Sequence, residues 1–273
     1  MPRVAAGCFH GVYPAEAVRP IVQALMDSTW VGSFTVDRKG SLGDVLSLED
    51  ALEDMPERLS VLKVLRLEDS ERWGEYASAR NRIREARGRG RLLRPMTVQS
   101  VEGLPERERQ RLMSDVNEVY LFHGSSPQKV MSIVERGFPA DLHQFNHGMF
   151  GDGAYFVESS THADEYSEDD KDGYYRGYFA MLLCRVVLGS AQVLPSGDVK
   201  VHERVGNGLP YDSAVGEREA SDGSFREFFV ASKSQIYPEY AIIYERAYHG
   251  PRPRSLSFSR GRSASIASAG GEA

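Results

Sequence analysis

Apolar positions along this chain fall into short runs separated by polar, glycine-bearing or proline-bearing stretches, and the spacing within each run selects its element. Val18, Ile21, Val22 and Leu25 recur at helical spacing after Pro14 and predict a short helix, with Pro20 admissible only in its first turn. The polar, Gly-containing stretch 37–47 reads as a loop. The run 59–67 is rich in Val and Leu and reads as a buried strand. Ser70 then stands where it can cap a helix that carries Trp73, Tyr76, Ala77 and Ile83 on one face and ends near Gly88.

After a polar connector at 106–111, residues 119–122 form a short apolar strand that delivers His123 at its end, and Gly124 turns the chain. Ser126 and Pro127 supply an N-cap and a first helical residue, Val130, Ile133 and Val134 an apolar stripe, and Gly137 a stop. The segment 138–150, with Pro139, Asn146 and Gly148, reads as an irregular loop before a strand at 154–157, and Ser160 then caps a short helix through Tyr166. Residues 178–188 are apolar on both faces, as in a central strand, and 225–230 and 240–244 complete the strand set. From Pro251 onward Arg, Ser, Gly and Ala alternate with almost nothing apolar to bury, which predicts a disordered tail.

Length and composition narrow the class. A chain of 273 residues with 41% hydrophobic and 26% charged residues can bury a full core as one main domain. The net charge of -6 does not favour a broad nucleic-acid surface, yet Arg80, Arg82, Arg84, Arg87, Arg89, Arg91 and Arg94 crowd one stretch, opposed by an acidic run at 164–172. The arginines could meet nucleic-acid phosphates, or they could simply solvate a helix face. Cys8 and Cys184 lie far apart, so neither a disulfide framework nor a zinc site is suggested. Without a basic segment leading an apolar one, and without an apolar run of spanning length, the chain is expected to be neither secreted nor membrane-embedded, but nuclear or cytoplasmic.

Three short settings carry the chemistry: Leu121-Phe122-His123-Gly124-Ser125, Gly153-Ala154-Tyr155-Phe156 and Tyr237-Pro238-Glu239-Tyr240. In this order and context they resemble the catalytic domain of the poly(ADP-ribose) polymerase family, whose members carry a His, Tyr, Glu triad. The resemblance covers about residues 55–246, including Arg66, Trp73 and Tyr76, and reaches more weakly back to Val18. It implies an α+β ADP-ribosyltransferase fold, with two packed, largely antiparallel sheets around an NAD cleft and peripheral helices. Three parts follow: an N-terminal segment 1–54 packing on the catalytic domain, the domain itself at 55–249, and a tail at 250–273.

The resemblance further implies that NAD is consumed as substrate, with ADP-ribose passed to a protein acceptor, as single units in preference to chains. Heterolysis of the nicotinamide–ribose bond builds positive charge on the sugar, and a carboxylate near the ribose hydroxyls gains strength as that charge develops. Glu239 is expected in this role, His123 on a ribose hydroxyl, and Tyr155 and Tyr166 stacked on nicotinamide. Gly124 lets backbone N–H and C=O approach the nicotinamide amide. Ser125, Phe156 and Ala163 complete the implied NAD-contacting set. Ala163 departs from the family, which has a serine there bonding the amide; Thr161 is a candidate to compensate.

Competing chemistries fare worse. Gly151-Asp152-Gly153 is followed by Ala154, Tyr155 and Phe156, not by the remainder of a dinucleotide fingerprint. His143 and His147 lie four apart with only Asp141 as a third metal ligand, and 164–172 lacks the glycine of a calcium loop, so no metal is expected. A module that binds NAD or ADP-ribose without catalysis, and an NAD glycohydrolase, remain as alternatives. The serines at 255 and 263 in Arg-x-Arg-Ser settings could accept phosphate, or the tail could merely solubilise.

Overall fold

The computed structural model describes residues 10–32, 55–87, 91–102, 112–139, 142, 147–148, 150–170, 173–194, 201–217 and 225–248. The loop at 37–47, the connector at 106–111, most of 138–150 and the tail from Pro251 lie outside the described residues. In chain order the elements are β1 (His10–Pro14), α1 (Arg19–Ser28), β2 (Arg58–Asp69), α2 (Ser70–Arg87), α3 (Met96–Glu102), β3 (Glu118–Ser125), α4 (Pro127–Arg136), β4 (His147–Gly148), β5 (Gly151–Asp152) and β6 (Ala154–Val157). Then come α5 (Ser160–Glu165), β7 (Phe179–Val187), β8 (Ala191–Leu194), β9 (Ser213–Gly216), β10 (Glu227–Val230) and β11 (Ile236–Ala247).

Among the described residues nine strands form a sheet in the order β1-β2-β11-β7-β3-β6-β10-β9-β8, antiparallel except for β8 beside β9. The fold is therefore α+β with a large, mostly antiparallel sheet. The two halves, β1 to β3 and β6 to β8, are joined at one residue pair, Phe122 with Val157. All nine residues of β7 are buried, which explains why that segment is apolar at successive positions where a half-exposed strand would alternate.

Two main clusters cover the sheet. In one, Val130, Ile133 and Val134 of α4 meet Leu121, Phe156, Leu182 and Phe228, so both halves share a core. In the other, Val22, Leu25 and Met26 of α1 meet Val64, Phe122, Val157 and Ile242. Burying such side chains stabilises the fold by about 2 kcal/mol each, which is what fastens α1 to the sheet. Gly137 ends α4 at φ +80°, its N–H donating to the Ile133 carbonyl at 2.7 Å. Arg72 of α2 donates to the carbonyls of Val134 at 3.0 Å and Glu135 at 2.5 Å, satisfying acceptors that the helix leaves open.

The arginine-rich stretch is partly committed within the chain. Arg80 lies 3.1 Å from Glu118, and Arg84 2.9 Å from Asp115. The acidic run likewise begins with a structural group: Asp164 is fully buried and takes the Tyr244 hydroxyl at 2.7 Å and Arg246 at 2.9 Å.

Candidate functional site

The cleft originates where the two halves of the sheet part. Past the Phe122–Val157 pair, β3 continues for three residues in register with β7 alone, His123 with Leu182, Gly124 with Met181 and Ser125 with Ala180. Its other edge faces α5 instead of β6. A Cβ at Gly124 would run into the carbonyl of Ala163, so only glycine lets this edge and the helix approach so closely. Ser125 sits half-buried at the end of the strand, and Ala163 is fully buried.

His123 bridges the gap. Its Nδ1 lies 2.9 Å from the Tyr155 carbonyl, and because a carbonyl only accepts, Nδ1 carries the hydrogen of that bond. Burial pushes the imidazole pKa below its ordinary value, against the opposing pull of the Tyr155 carbonyl and with help from Lys129.

Tyr155 is locked in place by its own hydroxyl, which donates to Gly151 at 2.6 Å and accepts from the Phe150 N–H at 2.9 Å, while Phe229 packs edge-on at 5.3 Å. Phe156, expected as a cofactor contact, is instead a core residue. Alternation along β6 turns its ring into the shared core, against His123 at 5.7 Å and Phe138 at 5.9 Å.

The expected position of Glu239 is overturned in a more consequential way. Glu239 is the extra residue of a bulge in β11, between Pro238 paired with Cys184 and Tyr240 paired with Leu183. Its carboxylate accepts from Arg185 at 2.5 Å and Tyr120 at 2.7 Å, with Arg66 at 3.9 Å. Two strands, β7 and β3, separate β11 from β6, a span of about 14 Å at ordinary strand spacing. Glu239 therefore does not join His123 and Tyr155.

A different carboxylate does. Glu227 opens β10 opposite Val157, and Phe229 stands opposite Tyr155, so Glu227 and Tyr155 lie on one face as diagonal neighbours, about 7–8 Å apart in such ladders. Glu227 accepts from the Tyr166 hydroxyl at 3.0 Å, and His162 Nε2 stands 3.8 Å from its Oε1. Tyr155, Tyr166 and Glu227 thus stand together beside the break in the sheet, and His123 is tied to it through the Tyr155 backbone carbonyl while its ring packs on Phe138 and Phe156. Sequence reasoning placed a strand at 225–230 but passed over its leading Glu; a carboxylate heading the wholly buried run Phe228-Phe229-Val230 was the available signal.

The α5 helix is itself held from outside. The helix cap is Ser159, whose Oγ accepts from the Thr161 N–H at 3.2 Å, so Ser160 lies inside the helix and not at its cap. Ser159 donates to the Thr29 carbonyl at 2.8 Å and Ser160 to the Met26 carbonyl at 2.8 Å. Thr161 accepts from the Val31 N–H at 2.7 Å and donates to the Val31 carbonyl at 3.1 Å. Committed to residue 31, it does not stand in for the serine replaced by Ala163. His143 and Asp141 lie outside the described residues, and no group of three metal-ligating side chains occurs among the described ones.

Comparison with known proteins gives a match over residues 46–246 to the sequence model described as Poly(ADP-ribose) polymerase catalytic domain. The chain is 26% identical over 193 residues to human protein mono-ADP-ribosyltransferase PARP11, covering 62% of this chain and 56% of that protein. It is 28% identical over 249 residues to mouse protein mono-ADP-ribosyltransferase PARP10, 88% of this chain but 24% of the relative. With mouse protein mono-ADP-ribosyltransferase PARP12 it shares 29% identity over 150 residues, 55% and 20% of the two chains. The chain thus spans about half the length of the first of these relatives and a quarter or less of the others.

Proposed function

Because the chain belongs to the poly(ADP-ribose) polymerase catalytic domain family, matched over residues 46–246, we propose that it cleaves the nicotinamide–ribose bond of NAD and transfers single ADP-ribose units to a protein acceptor. The observation that carries this reading is the placement of Glu227, diagonal to Tyr155 and hydrogen-bonded by Tyr166 at 3.0 Å. The three relatives compared above, each named a mono-ADP-ribosyltransferase, support single transfer.

In this reading the residues divide the work. Tyr155, fixed through its hydroxyl, and Tyr166 offer aromatic planes to nicotinamide, and the backbone edge at Gly124 offers its amide groups to the carboxamide. His123, held through Nδ1 by the Tyr155 carbonyl, meets a ribose hydroxyl. Glu227 takes the part first assigned to Glu239: a fixed anion at the ribose, worth more in the transition state than in the ground state because positive charge grows on the sugar there. We take the working unit as 55–249, with 1–54 packing on it and 250–273 appended, and its setting as nuclear or cytoplasmic.

Incubating the chain and its candidate acceptors with NAD labelled in the adenosine half tests the reading. Release of nicotinamide together with protein labelling is expected. Release without labelling assigns a hydrolase, and binding without release a recognition module.

A further inference from the structure

One polar side chain beside Glu227 has no part in the reading above. His162 lies in α5 one helical turn before Glu165, is wholly buried, and packs between the rings of Tyr166 at 5.3 Å and Phe225 at 5.7 Å. Its Nε2 stands 3.8 Å from Glu227 Oε1 and 3.9 Å from Glu165 Oε2. We propose that His162 is a positioning residue for Glu227: with the Tyr166 hydroxyl it fixes the carboxylate on the cleft side of β10. The inference rests on the reading of Glu227 given above.

The argument is one of side-chain chemistry. An apolar residue of similar volume would fill the space between Tyr166 and Phe225 equally well, yet it would offer nothing to two carboxylates withdrawn from water. Glu227 is 6% exposed, and a carboxylate so placed needs polar partners to hold its position. Tyr166 supplies one donor to Oε1. The imidazole, delivered from the same helix, approaches the same oxygen, so the stacking tyrosine and the histidine reach the anion as one rigid unit. A shift of α5 would then move the aromatic plane and the carboxylate together.

The test is a double-mutant cycle read by nicotinamide release from NAD, with His162→Phe, Glu227→Gln and the pair. His162→Phe keeps a ring between its neighbours and removes the polar nitrogens; it is expected to lower kcat about tenfold with KM within about twofold, a coupling normal for groups in contact. His162→Gln, which returns a donor, is expected to recover most of the loss. In the Glu227→Gln background His162→Phe should cost nothing further. Should Phe not be accommodated, as judged by the thermal transition, His162→Leu takes its place in the cycle.

Equal losses in both backgrounds, or an unchanged kcat in the single variant, would make His162 a packing residue and overturn the proposal while leaving Glu227 in its role. An unaltered rate in Glu227→Gln alone would overturn both together.

Discussion

Two buried carboxylates, on strands that follow one another in the chain but lie far apart in the sheet, have contrasting surroundings. Glu239 on β11 is 3% exposed and Glu227 on β10 is 6% exposed, so burial does not tell them apart; their partners do. Glu239 belongs to a closed ionic knot. Arg185 lies 2.5 Å from it and 3.5 Å from Glu118, which also takes the Tyr76 hydroxyl at 2.9 Å and Arg80 at 3.1 Å. Burial alone would lower the Arg185 pKa, but Tyr120, Glu239 and Glu118 around it raise it, and the guanidinium stays charged. Rings of Tyr120 and Trp73 lie 5.2 Å and 5.7 Å from its carbon. Such a knot fastens β11, β7, β3 and α2 to one another, and its charges answer only to themselves. Glu227, by contrast, is held by Tyr166 from the helix that walls the cleft. A carboxylate works on a substrate only if its charge is fixed yet still faces the place where new charge appears.

The sharpest way to break this comparison is to neutralise each carboxylate in turn. Glu227→Gln is expected to slow nicotinamide release by about 10² to 10³, the scale of losing one transition-state stabiliser, while moving the thermal midpoint by less than about 2 °C. Glu239→Gln should do the reverse. It takes from Arg185 the nearer of its two carboxylate partners and leaves Glu118 at 3.5 Å, so stability should fall by about 3 kcal/mol, a drop of roughly 10 °C in Tm, while the rate per folded molecule stays within about threefold. Steady-state rates together with calorimetry on both variants decide the matter. A crossed result, activity lost with Glu239 and stability with Glu227, would reverse the assignment.

The sequence pointed to Glu239, whose carboxylate the structure commits to Arg185 and Tyr120, and the reason is instructive. His123, Gly124 and Tyr155 were legible because each sits in a local setting whose backbone role is visible from neighbours: a strand running into a glycine, and an aromatic pair after Gly153. The strands at 59–67, 154–157 and 178–188, and the helices after Pro14 and Ser126, followed from spacing alone and lie close to β2, β6, β7, α1 and α4. Choosing between Glu227 and Glu239 depends on strand order, since β10 lies beside β6 whereas β11 lies two strands beyond β3 on the other side. Strand order is a long-range property, and nothing local in Tyr237-Pro238-Glu239-Tyr240 betrays that Arg185 waits opposite. The role of Thr161 was hidden for the same reason, because its partner, Val31, is 130 positions away.

That distant contact gives the next test. Thr161 makes two hydrogen bonds with residue 31, and Ser159 and Ser160 two more with Thr29 and Met26, so the segment after α1 braces the helix that leads to Tyr166. Thr161→Val keeps the shape and removes one donor and one acceptor. We expect a loss of about 2 kcal/mol, roughly 4–8 °C in Tm, together with a KM for NAD raised several-fold as Tyr166 loosens. A lowered Tm with an unchanged KM would mean that the brace serves the fold alone and does not reach the cleft.

The smallest effect concerns His123, whose protonation the fold biases. Burial pushes its pKa below 6.5, so the folded protein holds a neutral ring where the unfolded chain would take a proton as pH falls through 6.5. The sign follows from linkage. Above 6.5 neither state is protonated at this position and its contribution to stability is complete; below it the unfolded state binds the proton first, and stability declines until the pH reaches the lower, folded value. Proton uptake would also charge the ring placed against a ribose hydroxyl, so KM for NAD should rise over the same acidic window. Two measurements check this: the Tm difference between pH 7.5 and 5.5 in the wild type against His123→Leu, and an NMR titration of the imidazole absent from that variant. A midpoint at or above 6.5 would mean that the Tyr155 carbonyl outweighs burial, and the neutral ring assigned to the cleft would have to be given up.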